Sequence, residues 1–431
     1  MKLAYLTIVA LLGTAAAPAP DPADQRATIT ALVGFGTRHT ASTTTDPKRG
    51  IGAARRWAAA RLARIGDACN KCLAIETIGD QFTGPRAPGG VRVEDVVAVQ
   101  RGTGDPNRVI IVMGHIDSRA SDPLDAVTDA PGANDDGSGV ALVIEVARLL
   151  SREKFAATIV YSINSGEEQG LWGGQLLART AKARGWQVAA VLNNDIVGGT
   201  HGQGGEHVDG LVRVFSEGIR AAADPAATLA QRSNGGEDDS PSRSLAKAVR
   251  RVAAAQPALG LEVVAMRRPD RFQRGGDHTP FLEAGYPAVR FTEAVENYDR
   301  EHQNIRTEAG RAYGDTLAFI DFAYLAKVTA VNVAVIRELA RAPAAPAGVT
   351  IAGAVSDDTR VAWAAVPGAA GYRVRWRRAD GFDWTDARDV AAGTTAIDLP
   401  HVNIDDHSFG VAALSADGAE SIISFAGPAP R

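Results

Sequence analysis

Two kinds of hydrophobic pattern alternate along the central part of the chain. Short runs of β-branched and other apolar residues, typical of buried strands, alternate with segments whose apolar residues recur every three or four positions, typical of helices. The predicted strands are Arg108 to Met113, Ala157 to Ile163, Val188 to Val197 and Ala288 to Phe291. The predicted helices are Val140 to Leu150, Leu171 to Arg184, Ser242 to Ala255 and Asp315 to Ala340, after a largely helical stretch from Ala23 to Gly66. This order predicts an α/β domain over residues 23–341, with a mainly parallel mixed sheet covered by helices.

The last part of the chain has a different pattern. Residues 342–348 are rich in Pro and Ala and predict a semi-rigid linker. Residues 349–431 have no helical period, and short alternating runs such as Tyr372, Val374 and Trp376 predict a small all-β sandwich. With Trp363 on an early strand, this segment resembles a fibronectin type III module. We expect it to fold independently of the preceding domain.

The amino-terminal residues predict the compartment. Lys2 is followed by an apolar run from Leu3 to Leu12 and then by small residues, so residues 1–17 are a predicted signal peptide and the protein is expected to be secreted or periplasmic. The run is too short to cross a bilayer, and no later stretch suggests a transmembrane segment. The only cysteines are Cys69 and Cys72, for which a local disulfide is favoured over a free or redox-active pair.

Composition excludes several classes of protein. A chain of 431 residues is too long for one ordinary domain, and 45% hydrophobic with 22% charged residues is typical of globular proteins. The net charge of -4 offers no electrostatic attraction to nucleic acid, so no nucleic-acid partner is expected. Nothing in the sequence indicates the oligomeric state.

Acidic and histidine residues cluster where predicted strands end. Taken singly, each cluster has an ordinary explanation, such as a helix cap for Asp135 or Asp136. Together, two histidines and three carboxylates at strand ends suit two zinc ions, with a further carboxylate left to carry protons. The segments are Gly114-His115-Ile116-Asp117, Asn134-Asp135-Asp136-Gly137, Gly166-Glu167-Glu168 and Asn193-Asn194-Asp195, with His302 in a later polar loop.

The order of these elements resembles that of the twenty-eighth metallopeptidase family, the secreted bacterial leucyl-type dizinc aminopeptidases, from roughly Arg38 to Arg306. The resemblance implies a phosphorylase/hydrolase-like zinc exopeptidase fold and two zinc ions per chain. It implies that one zinc is held by His115 and Asp195, the other by Glu168 and His302, and that Asp135 bridges them.

The same resemblance assigns the remaining roles. Glu167 would be the general base that activates a metal-bridged water and passes the proton to the leaving amine. Asp117 would orient His115, and a cis peptide bond would join Asp135 to Asp136, turning the second carboxylate away from the metals.

More distant residues of the family pattern are also present. Asp277 and His278 would support the site without binding metal, although Gly276 replaces the usual Ser. Tyr298 is the candidate for a transition-state stabiliser.

The predicted function is therefore hydrolysis of N-terminal amino acids from peptides with a free N-terminus. A carboxypeptidase and a glutaminyl cyclase on the same scaffold remain alternatives, as does a non-catalytic adhesion protein that uses the C-terminal module. Retention of His115 together with Asp135 argues against a single-zinc cyclase. The sequence carries no readable signal for side-chain preference.

Overall fold

Residues 19–428 are described in the computed structural model of the protein. The predicted signal peptide, residues 1–17, lies outside them. Within the described part, no helix has the length and apolar character needed to cross a membrane.

The first unit alternates helices and strands over residues 22–341. Its helices are α1 (Pro22–Val33), α2 (Gly50–Ala68), α3 (Gly137–Leu150), α4 (Glu167–Gly170), α5 (Trp172–Ala183), α6 (Pro225–Ser233), α7 (Pro241–Ala254), α8 (Thr279–Glu283) and α9 (Phe322–Arg341). Its strands are β1 (Ala74–Gly84), β2 (Ala87–Gln100), β3 (Asp105–His115), β4 (Ala157–Asn164), β5 (Gln187–Asn194), β6 (Leu211–Ser216), β7 (Glu262–Met266), β8 (Ala288–Glu293), β9 (Arg306–Glu308) and β10 (Arg311–Tyr313).

Eight of these strands form one mixed sheet in the order β1-β2-β4-β3-β5-β8-β6-β7. The central strands β4, β3, β5 and β8 are parallel neighbours, and antiparallel pairing begins at β2 on one side and at β6 on the other. The predicted mainly parallel mixed sheet is confirmed. Parallel central strands bring their carboxyl ends to one edge of the sheet, where ligands bind in folds of this class.

Strand β3 shows why both faces of the sheet are covered. Ile110 and Val112 belong to the larger hydrophobic cluster, which includes α1, α3 and α9, whereas Ile111 and Met113 belong to a second cluster with α5 and α8. Alternate side chains of a strand point to opposite faces, so a continuous apolar run needs a helical layer on each side. The pattern of the sequence therefore dictates this layering.

Several elements differ from the sequence prediction. The hairpin β1–β2 and strands β6 and β7 were not predicted, and the outer half of the hairpin is largely exposed, so it lacks a continuous apolar run. Helix α9 begins at Phe322 and not near Asp315, because Asp321 caps it by accepting a hydrogen bond of 3.0 Å from the Tyr324 amide.

The C-terminal unit contains two four-stranded sheets that share one core. One sheet has the order β15-β12-β11-β18 and the other β14-β13-β16-β17. Trp363, Tyr372, Val374, Phe409 and Val411 lie in the common core, as the alternating pattern predicts. The strands are β11 (Thr350–Ala352), β12 (Thr359–Ala362), β13 (Gly371–Arg378), β14 (Asp386–Ala391), β15 (Ala396–Leu399), β16 (His407–Leu414), β17 (Ser424–Phe425) and β18 (Gly427–Pro428).

This sandwich packs against the amino ends of the parallel strands, away from the edge where ligands bind. Arg108, near the start of β3, fixes the end of α9, from which the linker to the sandwich leaves, by donating hydrogen bonds to the main-chain oxygens of Leu339 (3.0 Å) and Ala342. A cavity of about 660 Å³ lies between the units, with Gln187 of β5 and Phe425 of the sandwich in its walls. The sandwich is therefore not a lid over the carboxyl ends of the strands.

A buried ion pair crosses the interface. Asp239 contacts Lys247 of the same unit at 2.6 Å and also Arg377 of the sandwich, and all three side chains are at most 3% exposed. This arrangement argues against fully independent folding. Removal of the sandwich would leave Asp239 and Lys247 without Arg377 and open to water.

We predict that Asp239→Ala strongly lowers the stability of the full chain. The change leaves two buried cations without their anion, and breaking a buried pair in this way typically costs about 3 to 5 kcal/mol. Thermal or denaturant unfolding measures the effect. Asp383→Ala is the matched control, because its 2.9 Å contact with Arg250 crosses the same interface but is 40–49% exposed. Such pairs contribute about 0 to 1 kcal/mol, so equal losses for the two variants would contradict the prediction.

Candidate metal centre

Acidic and histidine side chains from five segments meet at the carboxyl edge of the sheet. His115 is the last residue of β3, Glu167 and Glu168 follow β4, and Asp195 follows β5. Asp195 thus lies just beyond its strand, whereas the sequence prediction placed it inside. Asp135 comes from the loop before α3, and His302 from the loop after β8. The topology alone therefore brings the predicted residues together.

Asp135 lies between the two histidines. Its Oδ1 is 3.1 Å from Nε2 of His115, and its Oδ2 is 2.9 Å from Nε2 of His302. One carboxylate thus presents one oxygen to each imidazole. This is the arrangement expected of a ligand shared by two cations.

The other predicted ligands complete two groups around Asp135. Asp195 Oδ1 is 3.8 Å from Nε2 of His115, and Glu168 Oε1 is 3.0 Å from Nε2 of His302. One group contains His115, Asp135 and Asp195, and the other contains Asp135, Glu168 and His302. Within each group the ligand atoms lie within 4.8 Å of one another. All five predicted ligands are therefore placed as two groups that share Asp135.

Two atoms of this cluster have no hydrogen-bond partner among the described residues. They are Nε2 of His115 and Oε1 of Glu168, and both are buried. Buried polar atoms are nearly always satisfied, and a metal cation in each group would satisfy these two atoms. The donor set of imidazole and carboxylate groups suits zinc.

Asp136 has a different role from that of its neighbour. The peptide bond between Asp135 and Asp136 is cis, as the resemblance implied. Asp136 Oδ1 accepts the Gly139 amide at 2.8 Å and caps α3, while Oδ2 accepts the His115 amide at 3.0 Å. A side chain at Gly139 would collide with the main-chain oxygen of Asn194 and with the Asp136 carboxylate, which explains the glycine.

Asp117 anchors the loop that carries the two glutamates. Its carboxylate accepts the main-chain amides of Glu168 at 3.1 Å and Glu167 at 3.3 Å. Nδ1 of His115 lies 3.1 Å from the main-chain oxygen of Asp117 and 3.5 Å from its Oδ1. The imidazole is therefore oriented mainly by the carbonyl group, and the predicted carboxylate contact is longer than a normal hydrogen bond.

Glu167 is half-buried and belongs to neither group of ligand atoms. Gly166, with a φ of 77°, makes the tight turn that separates Glu167 from β4. Burial, reinforced by the negative charges of Asp195 and Glu168, raises the pKa of the Glu167 carboxyl group well above its ordinary value. A raised carboxyl pKa suits a group that accepts and returns a proton near neutral pH.

The electrostatics of the cluster favour a cation. Burial opposes ionisation of Asp135, but the neighbouring imidazole groups of His115 and His302 hold the pKa of its carboxyl group well below its usual range. Burial likewise opposes a charge on His302, yet Glu168 and Asp135 raise the pKa of this imidazole to about 10. The carboxylates therefore attract positive charge strongly.

Asp277 and His278 are both buried, and their supporting role stays a prediction. Asp277 accepts a hydrogen bond from Asn164 Nδ2 at 2.9 Å and from the Gly174 amide at 3.0 Å, which joins β4 to α5. His278 Nε2 lies 2.8 Å from the Pro269 main-chain oxygen. Tyr298 is 58% exposed four residues before His302, and its role in catalysis stays a prediction.

Sequence reasoning missed two residues next to the ligands. Asp315 accepts the main-chain amides of Asn134 and Asp135 at 2.7 to 2.9 Å, so it fixes the backbone of the residue that both groups share. Arg290 in β8 contacts Asp195 Oδ1 at 2.8 Å and Asp270 at 3.0 Å. A signal for Arg290 existed, since a guanidinium in an apolar strand needs buried carboxylate partners.

The disulfide is the last of the predicted features. Cys69 and Cys72 are joined by a disulfide at the end of α2, as the sequence predicts.

Comparison with known proteins identifies the family to which the chain belongs. The sequence profile described as Peptidase family M28 matches residues 95–323. A probable zinc metalloprotease of Leptosphaeria maculans is 42% identical over 399 residues, which cover 92% of each chain. This relative is fungal, so the match confirms the predicted family but not the resemblance to its bacterial members.

Solved structures of low identity share the fold. A leucine aminopeptidase precursor from Bacteroides thetaiotaomicron superposes with a TM-score of 0.53 at 16% identity, over 74% of this chain and 98% of the other. The glutaminyl cyclase of Porphyromonas gingivalis superposes with a TM-score of 0.52 at 20% identity, over 74% and 98%. These likenesses concern the fold alone.

Proposed function

Because this chain belongs to peptidase family M28 and is a zinc-dependent peptidase, we propose that it is an aminopeptidase that uses two zinc ions to remove the first residue of a peptide. The observation that carries the proposal is the sharing of Asp135 between two complete groups of ligand atoms. His115 and Asp195 would hold one ion, Glu168 and His302 the other, and Asp135 both. Two bound zinc ions polarise a scissile carbonyl group and lower the pKa of water.

The chain's own residues move the proton. The Glu167 carboxylate takes a proton from the attacking water and delivers it to the nitrogen of the leaving amine. Asp117 holds the amides of both Glu167 and Glu168, so the base and a ligand are fixed to one anchor. Such fixing preserves the alignment on which proton transfer depends.

The charge around the centre favours the amino end of a peptide. A cavity beside the centre is lined by more carboxylates than guanidinium groups, the carboxylates being Asp135, Glu293, Glu301, Asp315 and Asp321 and the guanidinium groups Arg26 and Arg300. Where these carboxyl groups are ionised, they would repel a substrate's terminal carboxylate and attract its terminal ammonium group. This balance supports an aminopeptidase over a carboxypeptidase.

A panel of peptides and chromogenic amides tests the proposal. We expect hydrolysis of substrates with a free amino terminus and at least about a 100-fold lower kcat/KM for their N-acetylated counterparts. Release of the C-terminal residue from N-blocked peptides would indicate a carboxypeptidase. Release of ammonia from N-terminal glutamine without peptide cleavage would indicate a cyclase.

We further propose that the protein acts outside the cytoplasm and that its sandwich is a fibronectin type III-like module used for attachment or for handling large substrates. The disulfide between Cys69 and Cys72 supports an oxidising compartment. Sequencing the amino terminus of protein recovered from the producing cells tests the first point, because an intact residue 1 would contradict export by a cleaved signal peptide.

A further inference from the structure

A cavity of about 680 Å³ opens beside the candidate metal centre, with Asp135 in its wall. Its apolar lining includes Ile196 and Ile320, which are buried, and Phe319, which is half-buried. The volume is many times that of an ammonium group. The cavity is therefore large enough for a long side chain, and its apolar wall suits a chain of methylene groups.

Glu301 belongs to the wall of this cavity and has one carboxylate oxygen without a partner in the described part of the chain. The residue is 8% exposed, and its Oε2 contacts Arg274 at 3.1 Å. Its Oε1 is buried and has no hydrogen-bond partner among residues 19–428. A buried carboxylate oxygen without a hydrogen-bond donor raises the free energy of the folded protein. A ligand that carries N–H groups would supply the donor.

Glu293 adds a second carboxylate to the cavity. It is 3% exposed, and its hydrogen bonds with Asn134 (2.8 Å) and the Gly199 amide (2.6 Å) both use Oε2. Arg300 also lines the cavity, but its guanidinium lies 3.3 Å from the centre of the Phe319 ring. The cation is thus stacked on an aromatic ring, while Oε1 of Glu301 has no partner among residues 19–428.

We propose that this cavity receives the side chain of the substrate's first residue and that Glu301 makes the enzyme prefer lysine or arginine at that position. The inference rests on the proposed aminopeptidase function and names its substrate class. The methylene groups pack against Ile196, Phe319 and Ile320, and the terminal cation donates to Oε1 of Glu301. A leucyl preference, as in the enzymes that the sequence resembles, would leave that oxygen without a partner.

Amides of lysine, arginine, norleucine, leucine and glutamate test the preference on the wild-type enzyme. Norleucine has an unbranched apolar chain and no terminal charge, so the ratio of kcat/KM for lysine over norleucine isolates the charge. We expect a ratio of at least about 10, because hydrogen bonds between charged groups are about twice as strong as neutral ones. An equal rate for both, or a preference for leucine or glutamate, overturns the inference.

Glu301→Gln then tests the residue. We expect the ratio of kcat/KM for lysine over norleucine to fall at least about 10-fold. Because Glu301 directly precedes His302, the substitution can also change the activity on all substrates, but such a change does not affect the ratio. Asp209→Asn is the matched control, since it also removes one negative charge but at a position that is 57% exposed and outside the cavity lining. Its ratio is expected to equal that of the wild type.

The outcomes separate the two proposals. No activity on any free-amine substrate contradicts the proposed aminopeptidase. Activity on all of them without a preference for cationic side chains contradicts only the inference. If Glu301→Gln lowers both rates equally, Glu301 acts on a group common to all substrates, and the side-chain assignment is wrong.

Discussion

Replacement of Glu167 by Gln is expected to lower kcat by about 10² to 10⁴-fold and to leave the zinc content unchanged. Glutamine keeps the size of the side chain but cannot take up a proton. Glu167 lies outside both groups of ligand atoms, so the metals do not depend on it. Steady-state kinetics and elemental analysis of the same preparation measure the two effects.

The neighbouring glutamate provides a matched control. Glu168→Gln changes the same kind of side chain one position later, but Glu168 Oε1 faces Nε2 of His302 at 3.0 Å. We expect this variant to lose the zinc held with His302. The assignment of base and ligand is wrong if Glu167→Gln loses zinc, or if Glu168→Gln retains all of it.

Asp135→Ala is expected to abolish both zinc binding and activity. The carboxylate places one oxygen near each histidine, so its loss removes a ligand from both groups at once and leaves two cations without the anion between them. The wild type is expected to hold close to two zinc ions per chain after dialysis, and Asp135→Ala close to none. The loss of activity should exceed that of Glu167→Gln, because the metals are lost with it.

Asp315→Asn gives a graded comparison. Asp315 binds the amide of Asp135 at 2.7 Å but is not a ligand, and residues in such outer positions typically change metal affinity by about 10 to 100-fold. Zinc titration with a competing chelator resolves that range.

Full zinc and full activity in Asp135→Ala would exclude the shared carboxylate.

His115, Glu168 and Asp195 could be found in the sequence because each lies at the end of a strand whose apolar run is itself recognisable, whereas Asp135 and His302 lie in loops and were identified through the family resemblance. His115 ends β3 and Asp195 follows β5, and parallel neighbours bring such positions together. The supporting contacts could not be found in the same way. Asp315 and Asp135 are 180 positions apart, and the loop around Asp315 has no pattern of its own.

The same distinction applies to the fold. The central strands and α3 are buried on nearly every side, so their sequences carry a strong apolar signal. The hairpin β1–β2 is half exposed and carries a weak one. The Pro/Ala composition of residues 342–348 identified a linker, but composition does not show that a linker packs against its neighbours, as the buried Ala342 does here.

The segment between His302 and Asp315 is attached at both ends to a single residue. His302 contacts the Asp135 carboxylate and Asp315 accepts the Asp135 amide, whereas residues 305–312 between them are exposed. The distance between the two ends therefore does not depend on how many residues separate them. Loop-closure entropy grows slowly, by about 0.6 kcal/mol for each doubling of length. Insertions and deletions in this exposed hairpin can therefore accumulate during evolution at small cost, while the contacts of its two ends with Asp135 stay unchanged.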